Sequence, residues 1–271
     1  MLRIAPNGTR YTVSGEDGGP VVVLVHGLGM HHEMWRWQVP ALKTQYQVVT
    51  YDLLGHGQTP PGPVAPSLEL FAEQLCDLID ELGHQRVAVI GFSLGGMIAR
   101  RFAMDFPDRL WGLGILHSAH QRIGSEPDDV KARVELVRRE GPKATVEVAL
   151  KRWLTDEYRE SHPKETDMIR RWVLANDPDV YPGNYQVLLD GVYELIAPEP
   201  PISCPALVVT GTADPGQTPE MAERIAAEIK GSTLEILPGL RHMGFAEQPE
   251  LYDRLIMDYL AKAYTEFLNA S

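Results

Sequence analysis

Short β-branched runs alternating with amphipathic helical segments predict an α/β fold, a mostly parallel sheet covered by helices on both faces. Six apolar runs of strand length, residues 21–25, 47–51, 87–90, 113–116, 206–210 and 234–237, are each followed by turn residues. Helical stripes lie among and after them. The chain's 271 residues, 44% hydrophobic and 23% charged, fit one large domain or one domain carrying an insertion, and exclude a disordered or fibrous chain.

In chain order, residues 21–25 (Val-Val-Val-Leu-Val) are apolar on both faces, as a buried parallel strand must be. Residues 68–82 place Leu68, Phe71, Leu75, Leu78, Ile79 and Leu82 on one helical stripe. Residues 94–105, 219–229 and 249–264 repeat that logic after later strands. The alternation breaks after Leu116. From about 121 to 201 no strand pattern occurs; instead come helical stretches at 130–139, 145–154 and 166–174, a Pro/Tyr/Asn-rich turn around 182–185, and a proline-rich exit, Ala197-Pro198-Glu199-Pro200-Pro201. These residues read as a helical insertion.

With 25 basic and 37 acidic residues the net charge is −12, which repels phosphate backbones and anionic lipid, so neither a nucleic-acid nor a membrane partner is expected. Cys76 and Cys204 lie far apart in or beside apolar runs and read as buried thiols in a reducing compartment. No secretory h-region precedes Tyr11 and no run approaches the ~20 residues that span a bilayer, so a cytoplasmic location is expected.

The sharpest chemical signal is Gly91-Phe92-Ser93-Leu94-Gly95, which follows one strand and opens a helix. At this composition a chance G-x-S-x-G occurs roughly 0.07 times per chain, before the strand–turn–helix context is required. The motif puts a serine hydroxyl on a strained turn clear of the sheet, with glycines where strand and helix approach. Such a hydroxyl needs a base. His242, in the loop after the last strand, is the best placed; His31, His32, His84 and His162 lie in polar stretches and read as solvated, and His56 reads as structural, holding loops near the oxyanion turn. His117 and His120 stand at i, i+3 without a third ligand at metal-site spacing, so no metal is expected. Asp214 closes the strand at 206–210 and supplies the acceptor that orients the histidine. Two backbone N–H groups, those of Leu94 and of Leu28 in the Gly27-Leu28-Gly29 turn, are the oxyanion donors this chemistry requires.

Together His26-Gly27, Asp52 with Gly55-His56-Gly57, Gly91 to Gly96, Gly211 with Asp214, and His242 resemble the α/β-hydrolase superfamily over the whole chain. The resemblance implies a mainly parallel eight-stranded sheet, a core of residues 1–120 and 202–271, a helical cap at 121–201, and a triad of Ser93, Asp214 and His242. Serine at 93 departs from the haloalkane dehalogenases and epoxide hydrolases of this fold, which carry aspartate there. Ser93 to Ile98 and the stretches Arg152-Trp153-Leu154-Thr155 and Asn176-Asp177-Pro178 are similar to the 3-oxoadipate enol-lactonase branch, while His117-Ser118-Ala119-His120 departs from that branch's usual turn.

The expected activity is hydrolysis of small carboxylic esters or lactones through an acyl-enzyme on Ser93, without metal or cofactor, in a monomer or homodimer. Met30, Trp153 and Met243 are candidate pocket residues, though Trp153 shares a stripe with Val146, Ala149 and Leu150 and also suits helix packing. Carbon–carbon or amide cleavage by the same triad, or a receptor of negligible turnover, are the rival readings.

Overall fold

The computed structural model describes residues 1–123 and 126–270. Among them eight strands form one sheet: β1 (Arg3–Ile4), β2 (Arg10–Ser14), β3 (Val21–Val25), β4 (Gln47–Tyr51), β5 (Val87–Phe92), β6 (Leu110–Leu116), β7 (Ala206–Gly211) and β8 (Thr233–Leu237). Their order is β1-β2-β4-β3-β5-β6-β7-β8, parallel from β4 to β8, with β2 and β1 added antiparallel at one edge. All six strand runs read from the sequence are present. The two further strands, β1 and β2, lack an apolar run of strand length: β1 is two exposed residues, and β2 carries its apolar residues only at Tyr11 and Val13.

Helices α1 (Val39–Leu42), α2 (Leu68–Glu81) and α3 (Leu94–Asp105) accompany the first strands. Between β6 and β7 lie α4 (Glu126–Glu140), α5 (Val146–Trp153), α6 (Asp156–Ser161), α7 (Pro163–Leu174) and α8 (Tyr181–Asp190). The last helices are α9 (Pro219–Glu228), α10 (Gly244–Glu247) and α11 (Pro249–Ala270). The expected turn at 182–185 is instead the first half of α8: Pro182 stands in the first turn, where its missing N–H has no intrahelical acceptor to lose.

Alternation along β3 divides the core. Val21, Val23 and Val25 join a cluster with Phe71 of α2 and Phe102 of α3, while Val22 and Leu24 join a second with Trp35, Leu42 and Ile256 of α11. Helices α4 and α8 extend the first cluster, and α5 and α7 the second. Ser67 caps α2, its hydroxyl accepting from the Leu70 N–H at 3.0 Å.

Where the chain leaves the sheet after β6 and returns before β7, both crossings meet one buried ion pair. Arg100 of α3 donates to the carbonyls of Ala119 (3.1 Å) and Leu195 (2.7 Å) and to Glu228 of α9 (3.2 Å). Glu228 also accepts from the Ala197 N–H (2.9 Å) and lies 3.0 Å from His120 Nε2.

Both cysteines are free and half-buried rather than buried; burial pushes the Cys204 thiol up to about 12. Among the described residues no helix is long and apolar enough to cross a membrane.

Candidate active site

The parallel strands deliver their carboxyl ends to one edge, the place where open α/β sheets present chemistry. Ser93 follows β5 with φ 56° and ψ −115°, a left-handed conformation that costs a non-glycine residue about 1–3 kcal/mol. The flanking glycines make the turn sterically feasible: a Cβ on Gly91 would meet the Gly95 carbonyl, and one on Gly95 the Val25 carbonyl. The Ser93 N–H donates to Leu116 O (2.9 Å), and the Ser118 hydroxyl to Ser93 O (3.0 Å).

Asp214, beyond β7, is almost fully buried and saturated with donors. Its Oδ1 accepts the N–H groups of Gly216 and Gln217 at 3.0 Å each, and its Oδ2 faces His242 Nδ1 at 2.8 Å. Burial alone would raise this carboxyl; the histidines and hydrogen bonds around it outweigh that and hold it well below the usual carboxylate range. With Nδ1 on Asp214, His242 keeps Nε2, which has no protein partner among the described residues. The His242 ring lies 4.7 Å from that of Phe92, and both line the cavity that holds Ser93. In substrate-free sites the nucleophile–base contact is commonly long and tightens on binding.

Beside Ser93 runs the loop after β3, so close that a Cβ on Gly27 would stand 3.2 Å from the Ser93 Cβ. Neither the Leu28 nor the Leu94 N–H donates to a protein acceptor among the described residues, which leaves two donors flanking the serine. His26 stiffens this loop, its Nδ1–H on Gly27 O (2.8 Å) and its Nε2 accepting the Leu53 N–H (2.9 Å). His56 is buried edge-on against it at 5.2 Å. From α7's end, Asn176 donates to Gly29 O (2.9 Å), tying the loop to the helices above.

The cavity measures about 320 Å³. Leu28, Met30 and His242 line it, and the Trp153 ring lies with its centroid 6.3 Å from that of His242. Met243 lies elsewhere: it is fully buried in the second core cluster, among residues that include Leu240 and Phe245, and does not line the cavity. His32 is not simply solvated either. It is half-buried, its backbone N–H and Nδ1 both within 2.8 Å of Asp52 Oδ1.

Three features escaped the sequence. Arg133 and Arg152 line the cavity and make no ion pair among the described residues. Arg152 Nη2 lies closer to where a Cβ on Gly216 would be than the two could stand. A signal existed, since Thr145, Val148, Ala149 and Arg152, all cavity-lining, recur at helical spacing on the face of α5 opposite the buried Val146 and Leu150. The third is His117, whose Nδ1 stands 2.8 Å from Asp214 Oδ2, while His120 turns away to Glu228. His117, Asp214 and His242 thus come within ligand reach of one another, but the close contacts are two imidazole nitrogens converging on one carboxylate oxygen, the pattern of donors on an acceptor.

A model of the alpha/beta hydrolase family matches residues 22–255. The chain belongs to this family. Within it, the chain is 30% identical over 252 residues to 3-oxoadipate enol-lactonase 1 of Acinetobacter baylyi, covering 92% of this chain and 91% of that one. It is 27% identical over 259 residues to the (E)-2-((N-methylformamido)methylene)succinate hydrolase of the same organism, covering 96% and 97%. Among solved structures, the enol-lactonase from Burkholderia xenovorans superposes on this hydrolase with a TM-score of 0.88 at 29% identity, over 96% of this chain and all of that one.

Proposed function

We propose that this hydrolase cleaves an ester or lactone bond in a small substrate that also carries a carboxylate, through an acyl-enzyme on Ser93. One observation carries the reading: a serine on a strained strand–helix turn shares a 320 Å³ cavity with a histidine bonded to a buried aspartate and with two arginines that make no ion pair among the described residues. The relatives' names support it, since each names an acid or its lactone.

In this reading Ser93 Oγ attacks the carbonyl carbon while His242 Nε2 takes its proton. The Leu28 and Leu94 N–H groups hold the oxyanion, each such donor being worth about 3–4 kcal/mol. Collapse expels the alcohol or enol oxygen, which recovers the proton from His242, and water repeats the sequence on the acyl-enzyme. Asp214 keeps the imidazole in the tautomer that leaves Nε2 a base. Arg133 and Arg152 bind the substrate's second carboxylate, whose bonds would satisfy the Arg152 guanidinium in particular, since burial lowers its pKa.

Amide cleavage keeps a place, because one relative's named substrate carries an N-methylformamido group. A steady-state panel of neutral esters, dicarboxylate half-esters, lactones and amides tests the reading. Half-esters should exceed neutral esters of equal length in kcat/KM, and Ser93→Ala should lower kcat by on the order of 10⁶. Turnover by Ser93→Ala within about tenfold of the unsubstituted protein would sink the acyl-enzyme, and negligible turnover of the whole panel would favour a receptor.

A further inference from the structure

His117 is the first residue after β6, fully buried, with φ 47°. A left-handed conformation is uncommon outside glycine, although histidine, asparagine and aspartate adopt it more readily than other residues. Its backbone N–H is fixed on Val209 O at 2.7 Å, so the strand β7 that presents Asp214 also holds this residue. The ring then spans two partners: Nδ1 lies 2.8 Å from Asp214 Oδ2, and Nε2 lies 2.6 Å from the hydroxyl of Tyr252 on α11.

The proton assignment follows from the chemistry of those partners. A carboxylate only accepts, so Nδ1 carries the hydrogen; a ring kept neutral by burial then has a lone pair at Nε2, which the Tyr252 O–H fills. Tyr252 has no second hydrogen-bond partner among the described residues. A directed chain results, from Tyr252 to His117 to Asp214, ending on the same oxygen that receives His242. Oδ1 is meanwhile taken by two backbone N–H groups, so every bond to the carboxylate comes from a fixed donor.

We infer that His117, backed by Tyr252, is a positioning residue for the acid of the triad: its Nδ1–H sets the rotation of the Asp214 carboxylate and lets it remain ionised under complete burial while His242 gains and loses its proton. The inference rests on the reading of Ser93, Asp214 and His242 as a hydrolytic triad. Without His117, Oδ2 would be held only by the imidazole it has to orient, so its position would be set less sharply and the imidazole would lose part of its alignment toward Ser93. A misplacement on the scale of 1 Å in such a site costs up to about 10²-fold in rate. Substrate does not touch His117, so binding is unaffected.

Two substitutions separate this role from packing. His117→Leu fills the space but donates nothing; His117→Asn keeps an N–H donor at nearly the position of Nδ1 and suits the left-handed backbone. Measured on the best substrate of the panel, His117→Leu should lower kcat about 10- to 100-fold with KM unchanged. His117→Asn should restore most of that loss. Tyr252→Phe should show a smaller loss of the same kind, and carries the kinetic test if His117→Leu does not fold. Proton NMR of the unsubstituted protein should show two strongly deshielded imidazole N–H resonances, one of which disappears in His117→Asn. Unchanged kcat in His117→Leu, equal damage in His117→Asn and His117→Leu, or a single deshielded resonance would each overturn the inference. The NMR readout needs no turnover, so a failure of the hydrolytic reading, seen as an active Ser93→Ala, is distinguishable from a failure of this one.

Discussion

Gly216 shows how one missing atom shapes recognition. Its hydrogen faces the Arg152 guanidinium at a separation that a methyl group would occupy, and its N–H holds Asp214 Oδ1. Gly216→Ala should therefore displace Arg152 while leaving the backbone bond to Asp214 in place. The expected result is a rise in KM for carboxylate-bearing esters of about tenfold, the loss of roughly one charge-assisted hydrogen bond, with neutral esters little changed; an equal effect on both substrate classes would contradict the role given to Arg152. At this scale the sequence was legible in part. Ser93 announces itself because strand, turn and helix constraints fall within a few residues, and Asp214 and His242 follow from their positions after later strands. His117 did not, because its meaning lies in a contact with a residue 97 positions away. Read locally, it was half of an i, i+3 pair with His120, and the fold sends the two side chains to different partners.

Helix α5 has two working faces. Val146 and Leu150 pack into the second core cluster, whereas Thr145, Val148, Ala149 and Arg152 line the cavity. Trp153 closes the helix between these faces, half-buried, with its carbonyl accepting the Met243 N–H at 2.9 Å and its ring beside His242. Because the backbone bond survives substitution and the ring is only half-buried, Trp153→Ala should cost less than the ~3–5 kcal/mol of a fully buried aromatic. It should shift relative rates toward longer acyl groups, hexanoate over acetate. A large fall in thermal midpoint with an unchanged rate ratio would assign Trp153 to packing alone. Elements were legible where burial imposes a clean pattern, as in the unbroken apolar run of β3 and the single stripe of α2. They were not where the environment is mixed: β2 is half-buried, β1 is exposed, and the Pro-Gly-Asn of α8 carries turn residues inside a helix stabilised by its contacts with α4.

The whole molecule carries several histidines that fold only when neutral. His26 is fully enclosed, with Nε2 accepting the Leu53 N–H, so a proton there would set donor against donor. Burial lowers its pKa to about 3 and that of His56 to about 4. Between the unfolded value of 6.5 and these values the unfolded chain binds protons that the native chain refuses, so stability falls as pH falls through that window, by up to about 1.4 kcal/mol per pH unit for each group. Asp52 adds to the loss at lower pH. Burial raises its pKa, but bonds from His32 and Gln58 outweigh this and leave it at about 2, so its contribution is present above the unfolded 3.8 and fades as pH falls toward 2. Urea denaturation at pH 7.5 and 5.0 should show a loss of roughly 3–4 kcal/mol; equal stability at the two values would contradict this account.

The joint at Arg100 and Glu228 has a mechanical consequence. The carbonyls of Ala119 and Leu195 and the N–H of Ala197, on the outgoing and returning crossings, are secured by a single pair of side chains. The two crossings thus share one post, and whatever loosens it loosens both, while α5 and α7 keep their own ties to the core through Trp153 O and Asn176. Glu228→Gln strips the compensation from a buried guanidinium, at a cost of roughly 3 kcal/mol, and it slackens both crossings together. Hydrogen exchange should then quicken in α4 and α8, the helices next to the two crossings, in concert, whereas acceleration confined to one of them would mean that each crossing has its own anchor.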